Sequence, residues 1–87
     1  MKYKTSDLNL SAFLRAKHSL TIEGLEPDPR NTDQALFVFV VDDATDIQKY
    51  VAEYFNGNDL CSINAYSREL TDLRSWLKNY RINKDNR

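Results

Sequence analysis

Eighty-seven residues with 41% apolar and 29% charged side chains, two Gly, two Pro and a net charge of −1 describe one small globular domain and exclude a disordered or fibrous chain. A single Cys excludes an internal disulfide and fits a reducing compartment, so the expectation is a soluble cytoplasmic protein. No apolar run approaches the roughly 20 residues of a membrane span, and residues 1–5 carry no signal-peptide apolar region.

The charge is unevenly spread. Residues 35–60 hold one base and five acids, whereas residues 61–87 hold six bases and three acids. The basic end suits phosphate or an acidic protein patch, and the acidic middle offers it a mate within one copy or between copies.

Residues 3–5 read as an extended edge segment. Thr5 or Ser6 then suits a helix N-cap, with Asp7 at the positive end of the macrodipole and a helix running to about Lys17. Leu10, Phe13 and Leu14 form its apolar face, widened by Leu8, Ala12 and Ala16. Leu20 and Ile22 alternate with Thr21 and Glu23, the pattern of a half-buried strand. Pro27 and Pro29 each remove a donor and are expected to end its pairing, leaving "PDPRNTDQ" as a polar loop. "ALFVFVV", residues 35–41, is apolar on both sides, which predicts a central strand covered on both faces.

Asp42 or Asp43 is expected to open the second helix, with Asp43 and Asp46 in a capping-box spacing. Ile47, Tyr50, Val51, Tyr54 and Phe55 follow at helical spacing, and Gly57 suits the left-handed residue after a helix. "LCSI" is short and extended. The third helix spans about residues 64–80, with Tyr66, Leu70, Leu73, Leu77 and Tyr80 as its core stripe. The expected fold is α+β, a small antiparallel hairpin sheet with an added edge strand, in the order (β)-α-β-β-α-α. Residues 1–82 form the domain and residues 83–87 a flexible basic tail.

Two resemblances bear on function. Phe37 and Phe39 have the two-residue spacing of the base-stacking aromatics in the RNA-recognition fold. The strand departs from that pattern: no base or Gly precedes Phe37, Val38 stands where a small residue belongs, and Val41 replaces the last aromatic. Over nearly the whole chain, Tyr3, Thr5, Asp7 and Leu8, then Phe37 and Phe39, then Tyr54, Phe55 and Gly57, then Tyr66, Leu70 and Leu73 match a second pattern. It resembles a family of small bacterial and phage domains of unknown function that begin Tyr-x-Thr-x-Asp-Leu and carry a central Phe-x-Phe strand. Asn9 and His18 depart from it, where an apolar residue and a Gly are usual. The resemblance implies a phage or mobile-element setting and no particular activity.

The chain lacks an enzyme's constellation. His18 and Cys61 are the only residues of their kinds, with no third group marked to orient them. His and Cys are too few for a metal cluster, and Asp42, Asp43 and Asp46 lack the Gly and distal Glu of a calcium loop, so capping explains them better. Neither a metal nor a cofactor is expected. The third helix is the binding candidate. Arg74, Lys78 and Arg81 fall on one stripe, extended by Ser67 and Thr71, and Trp76 lies off the Leu stripe. The plain alternative is a solvated face whose bases complement the helix dipole. The reading favoured is a non-enzymatic adaptor that docks on a larger protein or nucleoprotein complex through Arg74, Trp76, Lys78 and Arg81. The second reading is direct nucleic-acid binding by Arg68, Arg74, Lys78, Arg81 and Lys84.

Overall fold

The computed structural model describes residues 1–57 and 63–85, the side chains of 32, 33 and 82–85 excepted. Its elements are β1 (Lys2–Thr5), α1 (Leu8–His18), β2 (Thr21–Asp28), β3 (Asn31–Val40), α2 (Ile47–Asn56) and α3 (Ile63–Asp85). The strands form one antiparallel sheet in the order β1-β3-β2. Both outer strands oppose β3, so β1 and β2 run parallel to each other with β3 between them, and α1 makes the crossover. The expected α+β class and element order hold.

β3 has one face toward the helices. Phe37 and Phe39 sit opposite Thr5 and Tyr3 on one side and Leu25 and Ile22 on the other. With Leu10, Phe13 and Leu14 of α1, Ile47 of α2 and Leu73 of α3 they make the core. Strict alternation would put Leu25 on the opposite face from Ile22. A register shift between Ile22 and Gly24 re-phases β2, and both side chains then point to the helices.

Among the described residues the helices pack on that face alone, which corrects the expectation of cover on both sides. Val38 is nevertheless only 4% exposed, while Val40 is 48% exposed. Lys2 of β1 pairs with Glu23 of β2 at 2.7 Å, and Lys4 pairs with Glu26 at 2.8 Å. Each bridge reaches across β3, a span of two strand spacings or about 10 Å. Val38 lies opposite Lys4 and Gly24, in the strip the two bridges span, and cover by the aliphatic stems accounts for its burial. Val40 lies outside them, opposite Lys2 and Thr21.

Several boundaries move from where the sequence put them. Thr5 is committed to β1, so the α1 cap is Asp7, whose Oδ1 accepts from the Leu10 N–H at 3.0 Å. Thr5 Oγ1 in turn accepts from the Asp7 N–H at 3.1 Å. Pro27 does not end β2, because β2 is an edge strand and a missing N–H on its outer side costs no ladder bond. The expected loop shrinks to a turn at Pro29 and Arg30, with Asp28 Oδ1 accepting from the Arg30 N–H at 2.9 Å.

The acids after β3 divide their work. Asp42 Oδ1 accepts from the Ala44 N–H and the Thr45 hydroxyl and holds a turn. α2 therefore opens later than expected, capped by Asp46, which accepts from the Lys49 N–H at 3.1 Å. Gly57 ends α2 in the left-handed conformation, φ 66°, as expected. Phe55 is not a core residue: it is 67% exposed. Cys61 and most of the "LCSI" segment lie outside the described residues. α3 keeps the expected stripe as far as Leu77, with Leu73 buried and Tyr66, Leu70 and Leu77 packed against the core, whereas Tyr80 is half-buried outside that cluster. Its helical backbone continues through Asp85, into the stretch read as a tail.

Candidate functional site

The residues picked out on α3 do not form one surface. At about 100° per residue, Trp76 stands roughly 160° around the helix from Arg74. Arg74, Lys78 and Arg81 are exposed along one flank of the Leu stripe, and Arg68 is exposed further round the back of the helix. The Lys84 side chain lies outside what is described. Trp76 is on the other flank, toward α1. The bases and the anchor thus belong to two surfaces, and the four-residue contact expected from sequence divides between them.

The Trp76 flank has a built surround. α1 packs along α3 and presents Arg15 to it. The Arg15 guanidinium carbon lies 5.0 Å from the Trp76 ring centroid, a cation–π contact. Arg15 Nε is 3.1 Å from Glu69 Oε2. The distance makes an ion pair, but the N–H is poorly aimed for a hydrogen bond. Glu69 Oε2 and Arg15 Nη1 are both out of water's reach and without a hydrogen-bond partner among the described residues. The ion pair compensates the two charges, but a donor and an acceptor left without hydrogen bonds are costly, and a native fold seldom leaves them so without reason.

The residues that carry them line, through their other atoms, a cleft of about 300 Å³ together with Ser19, Leu20, Thr21, Ile22 and Trp76. Its floor is the start of β2, which among the described residues has a partner strand on one side only. Ser19 shapes the corner. It takes a left-handed conformation, φ 54°, so that its N–H can close α1 on the Arg15 carbonyl at 3.1 Å. Trp76 is 36% exposed at the rim. Sequence reasoning found Trp76 but missed Arg15 and Glu69, which lie 54 positions apart and meet only because α1 and α3 are neighbours.

α1 turns its end toward α2 as well. His18 Nε2 is 3.0 Å from Glu53 Oε2, and the imidazole stacks on Tyr50 at 3.6 Å with 8° between the planes. Phe13 meets the same ring edge-on. The His thus works as a strut between helices, with one ring face on Tyr50, a T-shaped contact with Phe13 and one nitrogen on Glu53. Among the described residues, no group of three or more His, Cys, Asp or Glu could hold a metal ion.

Phe37 and Phe39 are fully buried against the helices, so they cannot stack on bases. The open sheet face shows Val38, Val40 and the Lys–Glu bridges instead. No helix is long and apolar enough to cross a membrane among the described residues.

A model of the family described as a domain of unknown function, DUF5659, matches residues 1–80. The chain belongs to the DUF5659 family. The match takes in the whole sheet, α1, α2 and most of α3, and with them every residue of the Trp76 cleft. Nothing among the curated proteins and nothing among the solved structures matches the chain significantly. For this DUF5659 domain, function has to be argued from its surfaces.

Proposed function

We propose that this DUF5659 domain is a non-enzymatic binding module that docks on a larger protein or nucleoprotein complex through α3, in a phage or mobile-element setting. The setting comes from the resemblance of its motifs to small phage and bacterial domains. The docking reading rests on α3 itself. The helix is 23 residues long, about 34 Å at 1.5 Å per residue, and Leu73 is its one fully buried side chain among those described. The chain's single Trp is held part-exposed on that helix, at the mouth of a cleft. Trp and Arg are the residue types that most often anchor interfaces.

Nucleic-acid binding is the competing reading, favoured by the exposed row of Arg74, Lys78 and Arg81. The two surfaces sit on opposite flanks, so one experiment separates them. Binding of labelled DNA and RNA duplexes and single strands is followed by anisotropy at about 50 and 200 mM salt. If three phosphates are neutralised, duplex affinity falls about 40-fold over that range, and Arg74→Glu lowers it further while Trp76→Ala does not. The docking reading expects no such binding. It expects a photo-crosslinker placed beside Trp76 to trap a partner whose purified complex weakens at least tenfold with Trp76→Ala. A reconstituted complex indifferent to both Trp76→Ala and Arg74→Glu would sink it.

A further inference from the structure

We infer that the Arg15–Glu69–Trp76 cleft takes an extended peptide segment of the partner, bound by its main chain along the free edge of β2. The inference rests on the docking reading and names what docks. Three observations converge on a peptide main chain. First, beneath the indole at the cleft wall lie a donor, Arg15 Nη1, and an acceptor, Glu69 Oε2, with no hydrogen bond among the described residues, although Glu69 Oε2 is ion-paired with Arg15 Nε at 3.1 Å. An anion would satisfy the first and be repelled by the second, and a cation the reverse. A neutral group carrying an acceptor and a donor next to each other satisfies both. One residue of an extended chain is such a group, because its C=O and N–H point to the same side. Second, the floor of the cleft is Leu20, Thr21 and Ile22, where β2 begins, and among the described residues β2 has β3 on one side and no strand on the other. Strand addition to a free sheet edge is a recurrent mode of peptide recognition, with the main chain giving affinity and side-chain pockets giving selectivity. Third, Trp76 supplies an apolar wall at the rim.

The same geometry limits the length of the segment. Farther along, β2 carries a register shift between Ile22 and Gly24 and then Pro27, which offers no donor. The regular edge is short, and a segment of about three to five residues uses it up. The two orphan atoms are shielded while the cleft is empty of peptide, with the indole lying on the guanidinium. Seating the segment therefore turns Trp76 aside.

That movement gives the test. Trp76 is the only Trp of the chain, so its emission reports this site alone. A bead library of N-acetylated, C-amidated hexapeptides is screened against the whole domain, and hits are titrated by Trp fluorescence. The expected result is a set of hits that shift the emission saturably. For a hit, N-methylation of one particular backbone amide lowers affinity at least tenfold, and methylation of the neighbouring amides does not. Arg15→Gln and Glu69→Gln each weaken binding several-fold, and circular dichroism checks that both variants stay folded. Three outcomes overturn the inference: no library member moves Trp76, every hit tolerates N-methylation throughout, or hits bind the Glu69→Gln and Arg15→Gln domains unchanged. Any of these leaves docking through α3 standing, because the crosslinking experiment does not depend on how the cleft is filled. An oligonucleotide that shifts Trp76 where peptides do not would assign the cleft to nucleic acid.

Discussion

The two faces of β3 are built from the same residue classes and buried by different means. On one face, Phe37 and Phe39 lie under three helices. On the other, Val38 lies under two Lys–Glu bridges, and Val40, one step along, is half in water. Helices bury a face with their own apolar surface. Long charged side chains bury it with their stems and keep their heads wet. The second method covers a strip only as wide as the bridges, which is why Val38 and Val40 differ so sharply on one strand.

The comparison predicts a graded series. Phe37→Ala removes a ring from the centre of the helix-covered face and should cost about 3–5 kcal/mol. For a chain of this length that approaches the whole margin of stability, so the variant is expected to be largely unfolded at 37 °C. Val38→Ala should cost about 2 kcal/mol, although no helix among the described residues covers that face, and Val40→Ala about 0.5–1 kcal/mol. Urea midpoints for the three variants check the order. Equal costs for Val38→Ala and Val40→Ala would mean that the bridges cover nothing.

Much of this was legible in the sequence, and the failures have physical causes. Periodicity identified α1, β3, the stripe of α3 and the Gly57 stop, because each is a local pattern that tertiary contacts only reinforce. The α1 cap was misplaced by one or two residues, because Thr5 suits both a strand and a cap, and only its pairing with Phe37 of β3 decides between them. Pro27 looked like a strand end, because sequence does not say which strand is the edge. On α3, spacing separated Trp76 from the Leu stripe but not from the bases. The flank it takes is decided by α1, which supplies Arg15. The cleft was invisible for the same reason: Arg15 and Glu69 are ordinary charged residues until two helices bring them together.

The bridges themselves allow a finer test. Lys4 and Glu26 are each more than a third exposed, so their charge attraction is worth about 0–1 kcal/mol. If the stem does the covering, Lys4→Met should cost less than about 0.5 kcal/mol and Lys4→Ala about 1 kcal/mol. A double-mutant cycle with Glu26→Gln then gives a small coupling that shrinks further in high salt. The opposite pattern, with Met as costly as Ala, would make the charge rather than the stem the source of cover.

The smallest effect concerns β1, where neighbouring residues sample the two faces. Tyr3 points to the helix side and Lys4 to the outer side. Burial, and after it the Asp7 carboxylate, push the Tyr3 phenol above its usual value of 10.0, and Tyr54 on α2 is raised by the same two causes in the same order. A raised folded-state pKa means that the fold prefers the neutral phenol. The stability it contributes is fully present below pH 10, the unfolded value, and is lost as pH rises from there through the folded value. Stability measured in urea should therefore fall above about pH 10. The fall should be smaller in Tyr3→Phe, so the difference between the two curves isolates this residue from every lysine that titrates nearby. Asp7→Asn keeps the α1 cap, since Asn accepts as well as Asp there, and removes the charge from both phenols. Burial is the larger cause, so most of the alkaline loss should survive Asp7→Asn. If Asp7→Asn abolishes the loss, the edge of the helix-covered face is wetter than the buried phenol implies, and the contrast between the two faces is sharp only at β3.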